Sequence, residues 1–157
     1  MNVHGDVNLK EERYGFILTS DVKWWEKLCQ KAKSGGGVYS FVRRSSVGPI
    51  RAEKLLFYVK HPLMQIRGIA DFIERIAGEA EVLWGRYGEE TCLGSFESFC
   101  EFLGGRDKAT FIRFTGFREL KKPVSMDVLK KVLGISRIPR GGKYVSREEV
   151  NQLIALE

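Results

Sequence analysis

The chain has 157 residues, 43% of them hydrophobic and 29% charged, with a formal charge of +6. That length and apolar fraction suit one globular domain with a proper core, residues 1–157. No apolar run approaches the roughly 20 residues that a bilayer-spanning helix needs. The amino terminus has no basic start followed by an apolar block, so no secretory signal is read there and the cytoplasm is the expected address. Cys29, Cys92 and Cys100 are odd in number and lack C-x-x-C spacing, which argues against a disulfide framework or a zinc site. The charge is uneven: residues 1–50 carry +3, residues 51–104 carry −3 and residues 105–157 carry +6. A one-sided basic surface of that kind suits a polyanion.

Residues 1–13 read as a flexible lead-in. "YGFILT" (14–19) predicts a first strand. Ser20 or Asp21 then caps a helix whose apolar positions are Val22, Trp25, Cys29 and Ala32. Gly35 to Gly37 stop that helix, because glycine tolerates positive φ and weakens helices. Their backbone N–H groups also form a candidate anion nest. "VYSFVRR" follows as a strand on which Tyr39, Phe41 and Arg43 point one way and Ser40, Val42 and Arg44 the other. Adjacent guanidinium groups therefore face opposite sides, and the inward one requires a carboxylate or an anionic guest.

"KLLFYVK" (54–60) predicts a third strand, with a turn at His61-Pro62. Residues 65–78 predict a long strand with Ile66, Gly68, Ala70 and Phe72 on its apolar face, and Gly68 permitting a bend. A helix with Ala80, Leu83, Trp84 and Tyr87 on one stripe comes next. Another starts near Ser95 and buries Phe96, Phe99, Cys100 and Leu103, which makes Cys100 a buried thiol. "TFIRFTGFREL" (110–120) is the clearest strand. Beyond Pro123 lies the carboxy-terminal part, residues 123–157. It holds a short helix with Met126, Leu129, Val132 and Leu133, then the basic loop and short strand of "RIPRGGKYVS". It closes with a helix opened by Ser146 and Glu149 in capping-box register. The sum is an α+β fold: a small, curved, mostly antiparallel sheet or barrel decorated with short helices.

Catalytic chemistry finds few candidates. His4 and His61 are the only histidines, which leaves no Ser-His or Cys-His system and no histidine cluster for a metal. No cofactor is implied. Glu89, Glu90, Glu97 and Glu101 are the acidic candidates, of which Glu97 and Glu101 lie on a polar helix face. Aromatic residues interleave with basic ones in "KWW", "WGRY" and "GKY", a pattern that lets bases stack while phosphates are neutralised. Trp24 is the tryptophan whose helical position looks spare. Arg113 shares its strand side with Phe111, Thr115 and Phe117, so it either pairs with a buried carboxylate or projects into a pocket. Arg118, five residues on, faces the opposite side.

This order resembles the PUA-like superfamily, its ASCH and EVE branches in particular. The resemblance runs from "SGGGVYSFVRR" through "KLLFYV" and "IRGIADFIERI" to "TFIRFTGFREL". More narrowly, "WGRYGEETCLGSFESFCEFLGGRDKATFIRFTGF" looks like an archaeal family defined only as a domain of unknown function. The resemblance implies a small PUA-like β-barrel that binds RNA or a modified nucleotide in RNA processing or modification. The contacts it implies begin with Arg43, Arg44, Ser45 and Ser46. Lys54, Tyr58 and Arg113 on neighbouring strands, with Lys143 and Tyr144, complete the expected set. One ASCH-like branch deacetylates N4-acetylcytidine with a lysine and a threonine after the helix-ending glycine and a glutamate further on. Here Gly36 and Gly37 stand at the lysine and its neighbour, Val38 and Tyr39 follow, and Glu97 matches the glutamate loosely, so that activity does not carry over. A small enzyme on a modified nucleoside, using Lys54 or Glu74, stays open as an alternative. So does an assembly domain, a homodimer included, that docks through Trp24 and the last helix.

Overall fold

A computed structural model describes residues 9–35 and 37–154. The lead-in therefore lies largely outside the described residues, as do His4 and Gly36; residues 9–12 are helical. The elements that follow are strand β1 (Gly15–Ser20), helix α1 (Val22–Ala32), β2 (Val38–Arg43), β3 (Lys54–Val59) and β4 (Gln65–Glu79). After these come α2 (Ala80–Tyr87), a 3-10 turn (Gly88–Glu90), α3 (Phe96–Leu103), β5 (Lys108–Ser125), α4 (Met126–Leu133), β6 (Lys143–Val145) and α5 (Arg147–Ile154). Local chemistry accounts for the boundaries. Asp21 accepts the Trp24 N–H at 2.7 Å as the N-cap of α1. Ser95 and Ser125 cap α3 and α4 in the same way. At α5 the capping box is complete: the Ser146 N–H donates to Glu149 Oε1 at 2.8 Å, and the Glu149 N–H donates to Ser146 Oγ at 3.0 Å.

The six strands form one sheet in the order β2-β5-β4-β3-β1-β6, with β1 and β3 parallel and the other pairs antiparallel. The sheet is not closed into the expected barrel. Its edge strands, β2 and β6, are not paired with each other, and β6 is only three residues long. Loops bridge them instead. Arg43 Nη1 donates to the carbonyls of Val47 (3.1 Å) and Gly141 (3.2 Å), and Tyr144 Oη accepts the Ile50 N–H at 2.8 Å. The loop after β2 and the loop before β6 thus occupy the seam where a ladder would have to run.

Bulges curve the sheet, since each extra residue bends its strand and increases local twist. The β4–β5 register slips three times, and the β3–β4 register slips once between Phe57 and Tyr58. Gly116 sits at one of these slips with φ +63°, and a Cβ there would stand 2.6 Å from Asp71 Oδ2. At Arg67 the extra residue divides the face predicted for β4. Ile66 joins one core with Ile69, whereas Gly68 packs against Trp25, and Ala70 and Phe72 join another core. Strand β5 runs longer than the predicted 110–120, because its two ends keep pairing with β4 at Glu79 and Gln65.

Among the described residues, three apolar clusters form the core. One lies under α4 and α5 around Ile17, Leu56, Leu129 and Leu153. A second fills the curl of the sheet with Leu18, Trp25, Phe57 and Phe114. A third joins β5 to α2 and α3 through Leu83, Phe99 and Phe111. Cys100 is exposed, contrary to the buried thiol expected. The buried stripe of α3 runs through Phe99 and Leu103, which leaves Cys100 on its flank and Phe96 43% exposed.

Candidate functional site

A cleft of about 330 Å³ opens along the seam. One wall is the middle of β2, with Ser40, Phe41 and Val42. The facing wall is the end of β1 (Thr19 and Ser20), Lys60 after β3, and the first turns of α1. Residues 91–93 and Phe102 of α3 close the remaining side. Because β2 is an edge strand, one row of its backbone groups has no neighbouring strand, and that row borders the cleft.

Three of the lining residues, Lys23, Lys27 and Lys60, are exposed lysines, and none forms an ion pair among the described residues. Lys23 and Lys27 share a side of α1 by their i, i+4 spacing. Asp21 is the only acidic lining residue, and its carboxylate is engaged as the helix cap. The aromatic walls are Trp24 and Phe41, edge to face at 4.7 Å, and Phe102. At Ser20 the hydroxyl is buried without a hydrogen-bond partner among the described residues. The result is a cavity that is cationic at its mouth and aromatic on its sides.

A charged cluster behind β2 holds one wall in place. Arg113 Nε and Nη2 donate to the two carboxylate oxygens of Glu90 at 2.9 and 2.8 Å, and Nη1 donates to Glu74 at 2.7 Å. Ser40 Oγ donates to Glu90 Oε1 at 2.8 Å, and the Arg113 guanidinium lies 4.3 Å from the centre of the Tyr87 ring. The bonds to Glu90 chiefly, helped by Glu74 and opposed by burial, raise the guanidinium's hold on its proton. Glu90 directly precedes the cleft-lining residues 91–93, so the cluster fixes that wall to β2 and β5. Thr91 adds a local tie, its Oγ1 donating to the Gly88 carbonyl at 2.8 Å. On α1, burial and the neighbouring Glu119 push the Cys29 thiol up to about 12. Burial also raises the Cys92 thiol at the cleft.

The residues expected to bind a ligand do not assemble into one site. Arg43 ends β2 and Arg44 follows it in a bend, so strand alternation does not fix the side of Arg44. Arg43 turns inward, meets carbonyl oxygens rather than a carboxylate, and burial lowers its pKa. It clips the seam shut at one end of the cleft. Arg44 is exposed and lies 5.7 Å from the ring centre of Phe102, at the cleft rim. Ser45 and Ser46 are exposed, and the Ser46 carbonyl accepts from Arg75. Lys54 pairs with Asp71 at 2.5 Å. Tyr58 is buried in the core under α4, where burial raises its pKa. Lys143 and Tyr144 lie on β6, with Tyr144 packed edge to face on Phe16. Arg113 has found its carboxylates, while Glu97 and Glu101 are exposed. Of the suspected aromatic residues, Trp24 is half-buried in the cleft wall. Lys23 belongs to the same "KWW" pattern, but Lys27, Lys60 and Phe102 carried no local signal. Among the described residues no group of three metal-ligating side chains forms, and no helix is long and apolar enough to cross a membrane.

No family model and no curated protein matches the chain. Among solved structures it is similar to the ASCH protein from Zymomonas mobilis, with a TM-score of 0.73 at 22% identity over 92% of this chain and 96% of that one. A single-site variant of the same protein superposes with a TM-score of 0.74 at 21% identity, covering 93% and 98% of the two chains. A second variant gives 0.73 at 22% identity over 92% and 99%. Likeness at this level of identity establishes the fold alone, which is that of these ASCH structures.

Proposed function

Taking the ASCH fold as premise, we propose that this protein is a binding module for RNA or a modified nucleotide, and that the guest enters the seam cleft. One observation carries the reading: three lysines without ion-pair partners among the described residues and three aromatic side chains surround one concave site. A base can lie against Trp24, Phe41 or Phe102 while its phosphate meets Lys23, Lys27 or Lys60, the division of labour that single-stranded nucleic-acid sites use. The volume is at the lower end of the roughly 300–1,000 Å³ range of small-ligand clefts, which suits one nucleotide. Arg44, at the rim, joins this set. Arg43 serves instead to close the seam.

Binding without turnover is the preferred reading. Lys54 and Glu74, the groups a modified-nucleoside hydrolase was expected to use, are both ion-paired. The test is a titration of single-stranded RNA and of a panel of modified nucleotides at several salt concentrations. Affinity should fall as salt rises, with a log–log slope of about −0.7 per phosphate neutralised. The double change Lys27→Ala with Lys60→Ala should flatten that slope by about 1.4. Binding that the double change leaves untouched would remove the cleft from consideration.

A further inference from the structure

The cleft does not end in neutral surface. Thr19, which lines it, donates its hydroxyl to the Arg140 carbonyl at 3.1 Å, so the loop before β6 runs along its rim. That loop follows α4, and residues 121–143 contain seven Lys and Arg against the single Asp127. Arg137 and Arg140 are exposed and have no ion pair among the described residues, as are Lys130 and Lys131 at the end of α4. Buried Ile138 anchors the loop between its two arginines in the core under α4. The Gly142 N–H donates to the Pro139 carbonyl at 2.9 Å, and the Gly141 carbonyl is held by Arg43. The arginines are therefore mounted on a pinned loop rather than on a free tail. Three residues span at most about 11 Å, so both stand close beside the cleft mouth.

We infer that the guest is one nucleotide of a single RNA strand, whose flanking phosphates pass over Arg140 and Arg137 towards the Lys130–Lys131 end of α4. This rests on the cleft reading above and extends it from a nucleotide to a polymer. A cleft walled by aromatic rings accepts a base only when it is unpaired, which selects a single strand over a duplex. Charges spaced along a loop outside the cleft add nothing for a mononucleotide but neutralise the neighbouring phosphates of a chain.

The experiment compares uridine 5′-monophosphate with an oligouridylate of about ten nucleotides. Both are titrated into the wild-type protein, Arg137→Gln/Arg140→Gln and Lys27→Ala/Lys60→Ala, with folding checked by thermal melting. The loop variant should bind the mononucleotide as wild type does. It should lose roughly 25-fold in oligomer affinity at 0.1 M salt and flatten the salt slope by about 1.4, the effect of two phosphate contacts. The cleft variant should weaken both ligands. An oligomer that binds no tighter than the mononucleotide, or a loop variant with an unchanged oligomer slope, overturns the polymer track and leaves the cleft reading standing. Absence of binding by either ligand overturns both. Equal or tighter binding of a duplex overturns the single-strand assignment.

Discussion

The substitution Arg113→Met tests whether the cluster behind β2 holds the cleft wall. It keeps the apolar stem of the side chain and removes three charge-assisted hydrogen bonds, two to Glu90 and one to Glu74. The side chains of Arg113 and Glu90 are each 17% exposed, and Glu74 is 44% exposed. Breaking a buried pair by removing one partner costs about 3–5 kcal/mol, since the remaining charge stays desolvated. Glu90 keeps its bond from Ser40, so the expected loss falls at the low end, about 3 kcal/mol, which lowers Tm by roughly 6–12 °C in a domain of this size. Glu74→Gln, at the more exposed bond, should cost less than about 1 kcal/mol. Urea unfolding of Arg113→Met, Glu90→Gln and the double variant completes a cycle whose coupling energy should exceed about 1.5 kcal/mol. Ligand binding in the cleft should weaken alongside, because residues 91–93 lose their anchor. Singles that add without coupling, or a loss under about 1 kcal/mol, would show that water already solvates the cluster and that it positions nothing.

Four further outcomes are expected. The Cys29 thiol, raised from its ordinary 9.0 to about 12, stays protonated in the fold at pH values where the unfolded chain ionises. Its contribution is complete below pH 9 and disappears as pH climbs toward 12, so Cys29→Ala should flatten the alkaline limb of a stability–pH curve. Exposed Cys100 should alkylate well before Cys29 at pH 8, measurable by mass spectrometry of timed iodoacetamide reactions. A Cβ on Gly68 would stand 2.6 Å from Trp25 Cη2 and 3.0 Å from Phe117 Cε2, so Gly68→Ala should cost about 1–3 kcal/mol in urea unfolding. Ser146→Ala removes one arm of the capping box and should cost about 1 kcal/mol by the same assay.

Local patterns were enough to place nearly every element. Asp21, Ser95 and Ser146 announce helix starts because a side-chain oxygen can satisfy backbone N–H groups within the same turn, whatever the rest of the chain does. Helical spacing likewise put Leu83, Phe99, Leu129 and Leu153 in the core. What alternation could not supply was a bulge. At Arg67 one extra residue sends Ile66 and Ala70 to different cores, and its position depends on pairing with β3 and β5, distant in sequence. The site followed the same rule: the Trp24 and Lys23 end of the cleft was legible, since those residues share one helix. Lys60, Ser40 and Phe102 meet them only because the sheet curls without closing. The fate of the arginines was decided by tertiary structure too. Arg113 found Glu90, Arg43 found two carbonyls, and Arg44 alone of the three was left exposed at the rim, because a guanidinium's role depends on which distant oxygens the fold brings within about 3 Å.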